Sequence, residues 1–363
     1  MKIVHTPISD GNPYQRELAD ALRRMGHSVD LYTPVWPFPF VHYVLKNGKP
    51  DIFHIHWQDQ FLIRKTIPGS LIRSILSVLE FMLIGVLGIK IVWTVHNVLN
   101  HERTHPAIEM FFLKIILKFF NEITFMSQAG IEAFNGIINP HKCVQDKFHI
   151  VPHGSYVDSY TNKISKPAAR QILNIDEDSF IFLCFGEARP YKGLQTVIGL
   201  MKDIPDPSIR LLVAGRAHNK SFEHVIRKAA SSDKRIHTVL SYIPDDFVQV
   251  FMNASDVVVL PYKDILNSGA AVLAMSFGKP VIAPNMGGIK DLLDGNGGML
   301  FDPADKRSLI DAMLKMKNAD VQAMGKHNHE KIRHYDWDYI ATLTSAVYAK
   351  AMNASGRSGA HPQ

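Results

Sequence analysis

LPYKDILNSGAAVLAMSFGKPVIAP, residues 260–284, begins as the end of an apolar strand, Asp256–Pro261. Tyr262–Asn267 is a polar loop. Ser268-Gly269-Ala270-Ala271 then opens an apolar helix that Gly278 stops, and Lys279-Pro280 leads into a second apolar strand, Val281–Ala283. Strand, loop, helix and strand in this order make a parallel α/β unit. The first amides of a helix have no intrahelical partner and carry partial positive charge, which suits phosphate. Gly269 and Ala270 leave room for a ligand to reach the backbone. An ordinary tight α/β turn has the same pattern, so this segment alone leaves both readings open.

Working outward, the neighbouring segments repeat the alternation. Phe180–Phe185 reads as a strand followed by the loop Gly186–Gly193, and Ile209–Ala214 as a strand ending in Gly215-Arg216. Arg235–Leu240 and Gly297–Phe301 are short and β-like, and Lys306–Lys317 is helical. The first half starts with the strand Lys2–Thr6, the loop Pro7–Pro13 and the helix Tyr14–Met25. Strands follow at Ser28–Thr33, Asp51–Trp57, Ile91–Val95, Asn121–Ser127 and Phe148–Pro152. The expected architecture is α/β: two Rossmann-like domains facing a cleft, with ligands at the carboxyl ends of the strands. Residues 1–155 form the first domain and 156–167 a linker. Residues 168–335 form the second, 336–352 a closing helix returning towards the first, and 353–363 a Ser/Gly/Pro-rich disordered tail.

The chain has 363 residues, 46% hydrophobic and 20% charged, enough for two ordinary cores. Cys143 and Cys184 make neither a disulfide framework nor a zinc ribbon, which points to a reducing compartment. Met1-Lys2-Ile3-Val4 runs straight into a strand, without the pattern of a signal peptide. The net charge of +6 is scattered and not interleaved with aromatics, which argues against nucleic acid.

Two segments are unusually apolar. Leu71–Gly88 contains Arg73 and Glu80 and is broken by Gly85 and Gly88, so it reads as a buried or surface-seated helix and not as a span. Ala107–Phe120 carries Lys114 and Lys118; it is either a core-facing helix or a peripheral membrane contact with basic flanks.

Among short motifs, His101-Glu102-Arg103-Thr104-His105 has the spacing of a zinc-protease helix, but Pro106 directly after it makes it a loop. No dinucleotide fingerprint, P-loop or nucleophile elbow occurs. Arg189, Lys192 and Arg216 lie at neighbouring strand ends, where cations suit a diphosphate. His96 ends the strand IVWTV and is placed to face a cleft.

The pieces FGEARPYKG, VAGR, ASDVVVLPY, AMSFGKPVIAPNMGG and DGNGGMLFDPAD, in this order and spacing, resemble the family-4 glycosyltransferases and their relatives of GT-B fold. The resemblance covers most of the chain and implies sugar transfer from a nucleotide-diphosphate sugar, without a metal or other cofactor. It implies that Lys192, and Arg189 by proximity, meet the diphosphate, and that the Ser268, Gly269 and Ala270 backbone cradles it. Arg216 joins this donor side, and Ser241, Tyr242 and Ile243 fall where the family grips the base. His96, within Thr94-Val95-His96-Asn97, matches a histidine that touches the donor sugar. The family's paired glutamates align with Ile265 and Leu273, so Asp264 is the one acid nearby. The chain therefore looks like a divergent branch.

Retention needs no carboxylate nucleophile, whereas inversion needs a base on the first domain. Asp10 and Glu102 are candidates by position, and Gly11 and Asn12 belong with them on the acceptor side. The expected acceptor is a saccharide, lipid-linked as in bacterial polysaccharide assembly. The expected location is cytoplasmic, at the inner face of the cytoplasmic membrane. The competing reading is a non-catalytic protein that keeps the GT-B shell and binds nucleotide sugars.

Overall fold

The computed structural model describes residues 1–9, 11–100 and 102–353; Asp10, His101 and 354–363 lie outside the described residues. The chain divides into two compact units, Met1–Gly154 together with the segment from Asp336 onward, and Ser155–Tyr335.

The first unit holds β1 (Lys2–Thr6), β2 (Ser28–Leu31), β3 (Ile52–Ile55), β4 (Lys90–Thr94), β5 (Glu122–Phe125) and β6 (Phe148–Ile150). These run parallel in the order β2-β1-β3-β4-β5-β6. The central strands β3, β4 and β5 are rich in β-branched and aromatic residues and almost wholly buried, as a sheet covered on both faces requires, whereas the edge strands β2 and β6 are mostly half-buried or exposed. The helix Trp337–Asn353 packs on the helix Tyr14–Arg24 and on β4 and β5. Asn353 is its last residue, so the expected tail at 353–363 otherwise falls outside the described residues.

The second unit holds β7 (Phe180–Phe185), β8 (Ile209–Ala214), β9 (Ile236–Val239), β10 (Val257–Val259), β11 (Val281–Pro284) and β12 (Gly298–Phe301). Their order is β12-β11-β10-β7-β8-β9, again all parallel. Residues 156–167, expected as a linker, belong to this unit. Tyr156 N donates to Ser276 Oγ (2.9 Å), Lys163 N donates to Gln249 Oε1 (2.8 Å), and the helix Lys166–Ile172 starts within the range. Side chains of the second unit thus satisfy part of its backbone and fix its path.

Both orders reverse direction once, between β1 and β3 in the first sheet and between β7 and β10 in the second. At such a point the two connections leave in opposite directions and open a crevice at the strands' carboxyl ends. Those two crevices position the functional side chains.

Candidate active site

In the second unit the crevice at β7 and β10 is walled by Gly186–Gly193 and 260–268. Gly186 (φ +101°), Gly193 (φ +68°) and Gly215 (φ +135°) take backbone that other residues adopt only under strain. A Cβ on Gly193 would lie 1.8 Å from Pro261 O, and one on Gly215 2.2 Å from Gly186 O. Lys263 N donates to Tyr191 O (2.8 Å), which joins the two loops.

Lys192 lies over Gly186, its Nζ 3.2 Å from where a Cβ there would be. Burial pushes its ammonium down to about 8, against the opposing pull of Glu187. Arg189 Nε donates to Glu187 Oε2 (3.0 Å), so the acid two residues before it holds this arginine. Arg216 is exposed beside Gly215. Ser241 and Tyr242 are exposed and Ile243 half-buried, in the turn after β9.

Ser268 caps the helix Gly269–Ser276, its Oγ accepting from Ala271 N (3.1 Å). Gly269 and Ala270 begin that helix at the β10 end, with their amides directed out of its first turn. Ile265 and Leu273, at the positions of the paired glutamates, are both buried, while Asp264 is exposed. Gly287 (φ +55°) packs under this loop, where a Cβ would meet Ile265 O at 2.3 Å, and Gly288 N donates to Leu266 O (2.7 Å). The 265–267 backbone is thus held from below, without any contribution from an acidic side chain at Ile265.

In the first unit the β1/β3 crevice carries imidazoles. His5 lies one residue before the end of β1, His54 lies in β3 and His56 just follows it; all three are buried. His5 Nε2 and His54 Nδ1 lie 3.1 and 2.6 Å from the hydroxyl of Tyr348, and His54 Nε2 lies 2.7 Å from Thr94 Oγ1. His56 Nδ1 lies 3.1 Å from His96 Nε2. His96 stacks on Trp57 with ring centroids 4.7 Å apart and meets the edge of Tyr14 at 5.2 Å. Burial pushes His5 and His96 down to about 3, with the nearby Arg23 and His153 adding to the respective effects. His54 and His56 are held well below the usual range, first by burial and then by neighbouring imidazoles: His5 and His96 for His54, and His54, His5 and His96 for His56. The cluster is therefore neutral at physiological pH.

His5, His54 and His56 offer ring nitrogens within 4.8 Å of one another, the one such group among the described residues. An ion there would have to take a nitrogen of His54 from Tyr348 or Thr94. The rings of His54 and His56 also lie stacked at 30°, side by side and not converging. The arrangement fits a hydrogen-bonded array better than a metal centre.

Of the residues expected on the acceptor side, Asp10 lies outside the described residues. Gly11 is exposed, and Asn12 Oδ1 accepts from Tyr14 N (2.9 Å) at the start of the first helix. Glu102 is exposed, its amide donating to Asn100 Oδ1 (2.8 Å). Residues 102–105 are not helical, and the helix begins only at Pro106, as the proline implies. The sequence reading missed His5, His54, His56 and Tyr348. His54-Ile55-His56 carried the signal: residues two apart in a strand face the same side. Tyr348 carried none, since only the packing of the last helix brings it there.

Residues 165–331 match the family model "Glycosyl transferases group 1". The chain is 26% identical over 355 residues to a GDP-mannose:glycolipid 4-beta-D-mannosyltransferase of Xanthomonas campestris pv. campestris, covering 96% of this chain and 91% of that protein. It is 25% identical over 236 residues to the D-inositol 3-phosphate glycosyltransferase of Corynebacterium efficiens, covering 61% of this chain and 55% of that protein. Among solved structures, sucrose-phosphate synthase from Thermosynechococcus elongatus superposes with a TM-score of 0.76 at 19% identity, covering 97% and 99% of the two chains. Anabaena HepE in complex with UDP-glucose superposes with a TM-score of 0.75 at 16% identity, covering 96% and 100%. The fold is GT-B, as the resemblance implied.

Proposed function

We propose that this chain, a glycosyltransferase of the GT-B fold, moves a hexose from a nucleotide-diphosphate sugar to a lipid-linked saccharide at a membrane surface. GDP-mannose is the donor to test first, because the mannosyltransferase matched along nearly the whole chain is named for it. In this reading Lys192 and Arg189 offset the charge that develops on the leaving diphosphate, and the amides at Ser268–Ala270 add to it. Arg216 lies along the same face, Ser241, Tyr242 and Ile243 meet the base, and Asp264 contacts the donor. His96 meets the sugar, and Asp10, Gly11, Asn12 and Glu102 serve the acceptor. The bond from the sugar's anomeric carbon to the phosphate oxygen breaks, one to the acceptor oxygen forms, and the acceptor hydroxyl's proton passes to the departing diphosphate, whose oxygen keeps the electron pair of the broken bond.

The observation that carries the membrane part is the helix Ile67–Val86, whose polarity is inverted. Its inward face buries Phe81 and Ile84 but is otherwise polar: Ser74 Oγ donates to Leu62 O (2.9 Å), Ser77 Oγ donates to Phe61 O (2.6 Å), and Glu80 Oε1 accepts from Val41 N (2.9 Å). Its outward face exposes Leu71, Ile72, Ile75, Leu79, Met82, Leu83 and Val86, the last at 84%. Phe111 is exposed on the helix Pro106–Ile116, which packs beside it, and Arg64, Lys65, Lys114 and Lys118 are exposed around this face. An apolar outer face with cationic flanks suits an anionic lipid interface. The helix is long and apolar enough to cross a membrane, but its inward hydrogen bonds tie it to the first unit, which favours lying on the surface.

Two measurements test the reading. A ligand that binds only the folded state raises its melting point. GDP-mannose, UDP-glucose and ADP-glucose should therefore separate in a thermal-shift panel, with Lys192→Ala losing the shift; no shift with any of them sinks the donor site. Sedimentation with anionic liposomes should carry the protein down at low salt, and protein left wholly in the supernatant removes the membrane part. The rival reading, donor binding without transfer, draws on the apolar Ile265 and Leu273. It predicts a thermal shift with neither transfer nor donor hydrolysis.

A further inference from the structure

Arg73 lies on the inward face of the helix Ile67–Val86 and is only 7% exposed. A buried guanidinium carries a full charge and five N–H donors, and it ordinarily meets a carboxylate. Neither Arg73 nor Arg64 forms an ion pair among the described residues. Arg73 Nη1 donates to Gln60 O at 3.5 Å, a long bond, and its charge otherwise meets the face of Trp36. Arg64 lies over the same ring, 5.4 Å from its centroid. A tryptophan face offsets only part of what desolvating a guanidinium costs. No nitrogen of Arg73 is sealed from solvent without a partner, so its remaining N–H groups open to the surface. The loop that carries Arg64 is held in place by the same helix. Ser70 Oγ accepts from Arg64 N (2.9 Å) and donates to Arg64 O (3.0 Å), while Ser74 and Ser77 bind the carbonyls of Leu62 and Phe61. Trp36 in turn packs on Phe61, with ring centroids 5.6 Å apart. Two forked cations are thereby fixed around one indole, an arrangement that suits the paired oxygens of a phosphate group.

The position of the pair selects the phosphate. On one side Ile67, Leu71 and Ile72 begin the exposed apolar face of the helix that carries Arg73. On the other, Gln60 follows Trp57 by three residues, at most about 11 Å of chain, and Trp57 stacks on His96 in the β1/β3 crevice. A lipid-linked acceptor has the same order: apolar chain, diphosphate, saccharide. We propose that Arg73 and Arg64 bind the diphosphate that joins the acceptor saccharide to its lipid, with the lipid against the apolar face and the sugar entering the crevice. This rests on the transferase reading above, which leaves the linkage unspecified. Arg73, being nearly buried, meets one inserted phosphate group and not the diffuse charge of a bilayer surface.

The test is calorimetric titration of the full chain with farnesyl diphosphate, in a Lys192→Ala background so that the donor loop does not compete for the diphosphate. Farnesol controls for the apolar chain and should bind about tenfold more weakly or less. Arg73→Gln and Arg64→Gln should each weaken farnesyl diphosphate about tenfold or more, as loss of a charge-assisted hydrogen bond implies, and leave farnesol unchanged. Partition into phosphatidylglycerol vesicles separates the two sources of phosphate, and Arg73→Gln should leave it within about twofold. Farnesyl diphosphate left unbound, or bound equally by the parent and both glutamine variants, overturns the proposal. So does a fall in vesicle partition as large as the fall in farnesyl diphosphate affinity, which would make Arg73 part of a general headgroup contact. Arg64 is exposed, so Arg64→Gln decides the question if Arg73→Gln fails to fold. A protein without Lys192→Ala that shows neither a donor thermal shift nor transfer would refute the transferase reading while leaving farnesyl diphosphate binding intact. Transfer without diphosphate-dependent binding would refute the arginine site alone.

Discussion

Gly193→Ala puts the donor loop under direct strain. Gly193 (φ +68°) ends the turn that carries Lys192 and starts the helix Leu194–Leu200. Alanine there adopts left-handed backbone at a cost of about 1–2 kcal/mol. Its Cβ would also lie 1.8 Å from Pro261 O, a backbone atom that no rotamer change can remove. The Arg189–Lys192 loop and the Pro261–Lys263 segment must separate by roughly 1 Å, and such overpacking adds about 1–3 kcal/mol. The expected destabilisation is therefore about 2–5 kcal/mol, read as a lower urea midpoint at unchanged m. Lys192 moves relative to the Ser268–Ala270 helix start, and a displacement of about 1 Å at a reacting group lowers turnover on the order of a hundredfold. Gly199→Ala is the control: it lies in the same helix with nothing within 4 Å of its added Cβ. There alanine should stabilise by about 0.5–1 kcal/mol. If Gly193→Ala keeps its midpoint and its turnover to within the scatter of the control, the close approach of the two loops is not what holds the donor site.

Three further outcomes follow from the same physics. Burial raises the Glu80 carboxyl to about 7, so the folded state holds the extra proton between pH 4.5 and 7 and stability falls as pH rises through that window. Glu80→Gln should gain about 1–3 kcal/mol at pH 8 and almost nothing at pH 4.5, and equal gains at both would show that the carboxyl is not the cause. Lys192 loses its proton above about 8 in the free protein. Donor Kd should then be level below pH 8 and rise towards tenfold per unit above it, whereas Lys192→Arg flattens the profile; a level wild-type profile from pH 7 to 9.5 refutes the charge pairing. Ile75→Asp with Leu79→Asp removes two roughly half-exposed apolar side chains from the outward face of the helix Ile67–Val86. Liposome partition should weaken about 30-fold or more at about 1 kcal/mol for each side chain plus charge repulsion, with solution stability little changed; unaltered partition would place any lipid contact elsewhere.

Much of the fold was legible because parallel α/β units repeat a local pattern. Phe180–Phe185, Ile209–Ala214 and Lys306–Lys317 appear in the structure with the boundaries read from sequence. The segment 156–167 reads as a linker because its side chains are mostly polar and half-buried or exposed; that its backbone is held by Ser276 and Gln249 of the second unit depends on residues 86 to 120 positions further on. The Ile67–Val86 helix was readable as apolar, but which of its faces points outward was not. Serine and glutamate on its inner side bond to backbone far along the chain, which leaves the leucines and isoleucines outside.

By itself the sequence determined the elements and the residues of the proposed donor side: glycines where backbones must approach, Lys192 and Arg189 after β7, and a serine-capped helix after β10. These are local, because each depends on residues within a few positions of one another. Only the tertiary structure decided the β1/β3 and β7/β10 crevices and the assembly of the histidine array. Strand order is not written in any single strand. The array joins His5 and His54 through Tyr348, 343 residues from His5 and 294 from His54, whose hydroxyl reaches both rings only once the last helix has packed.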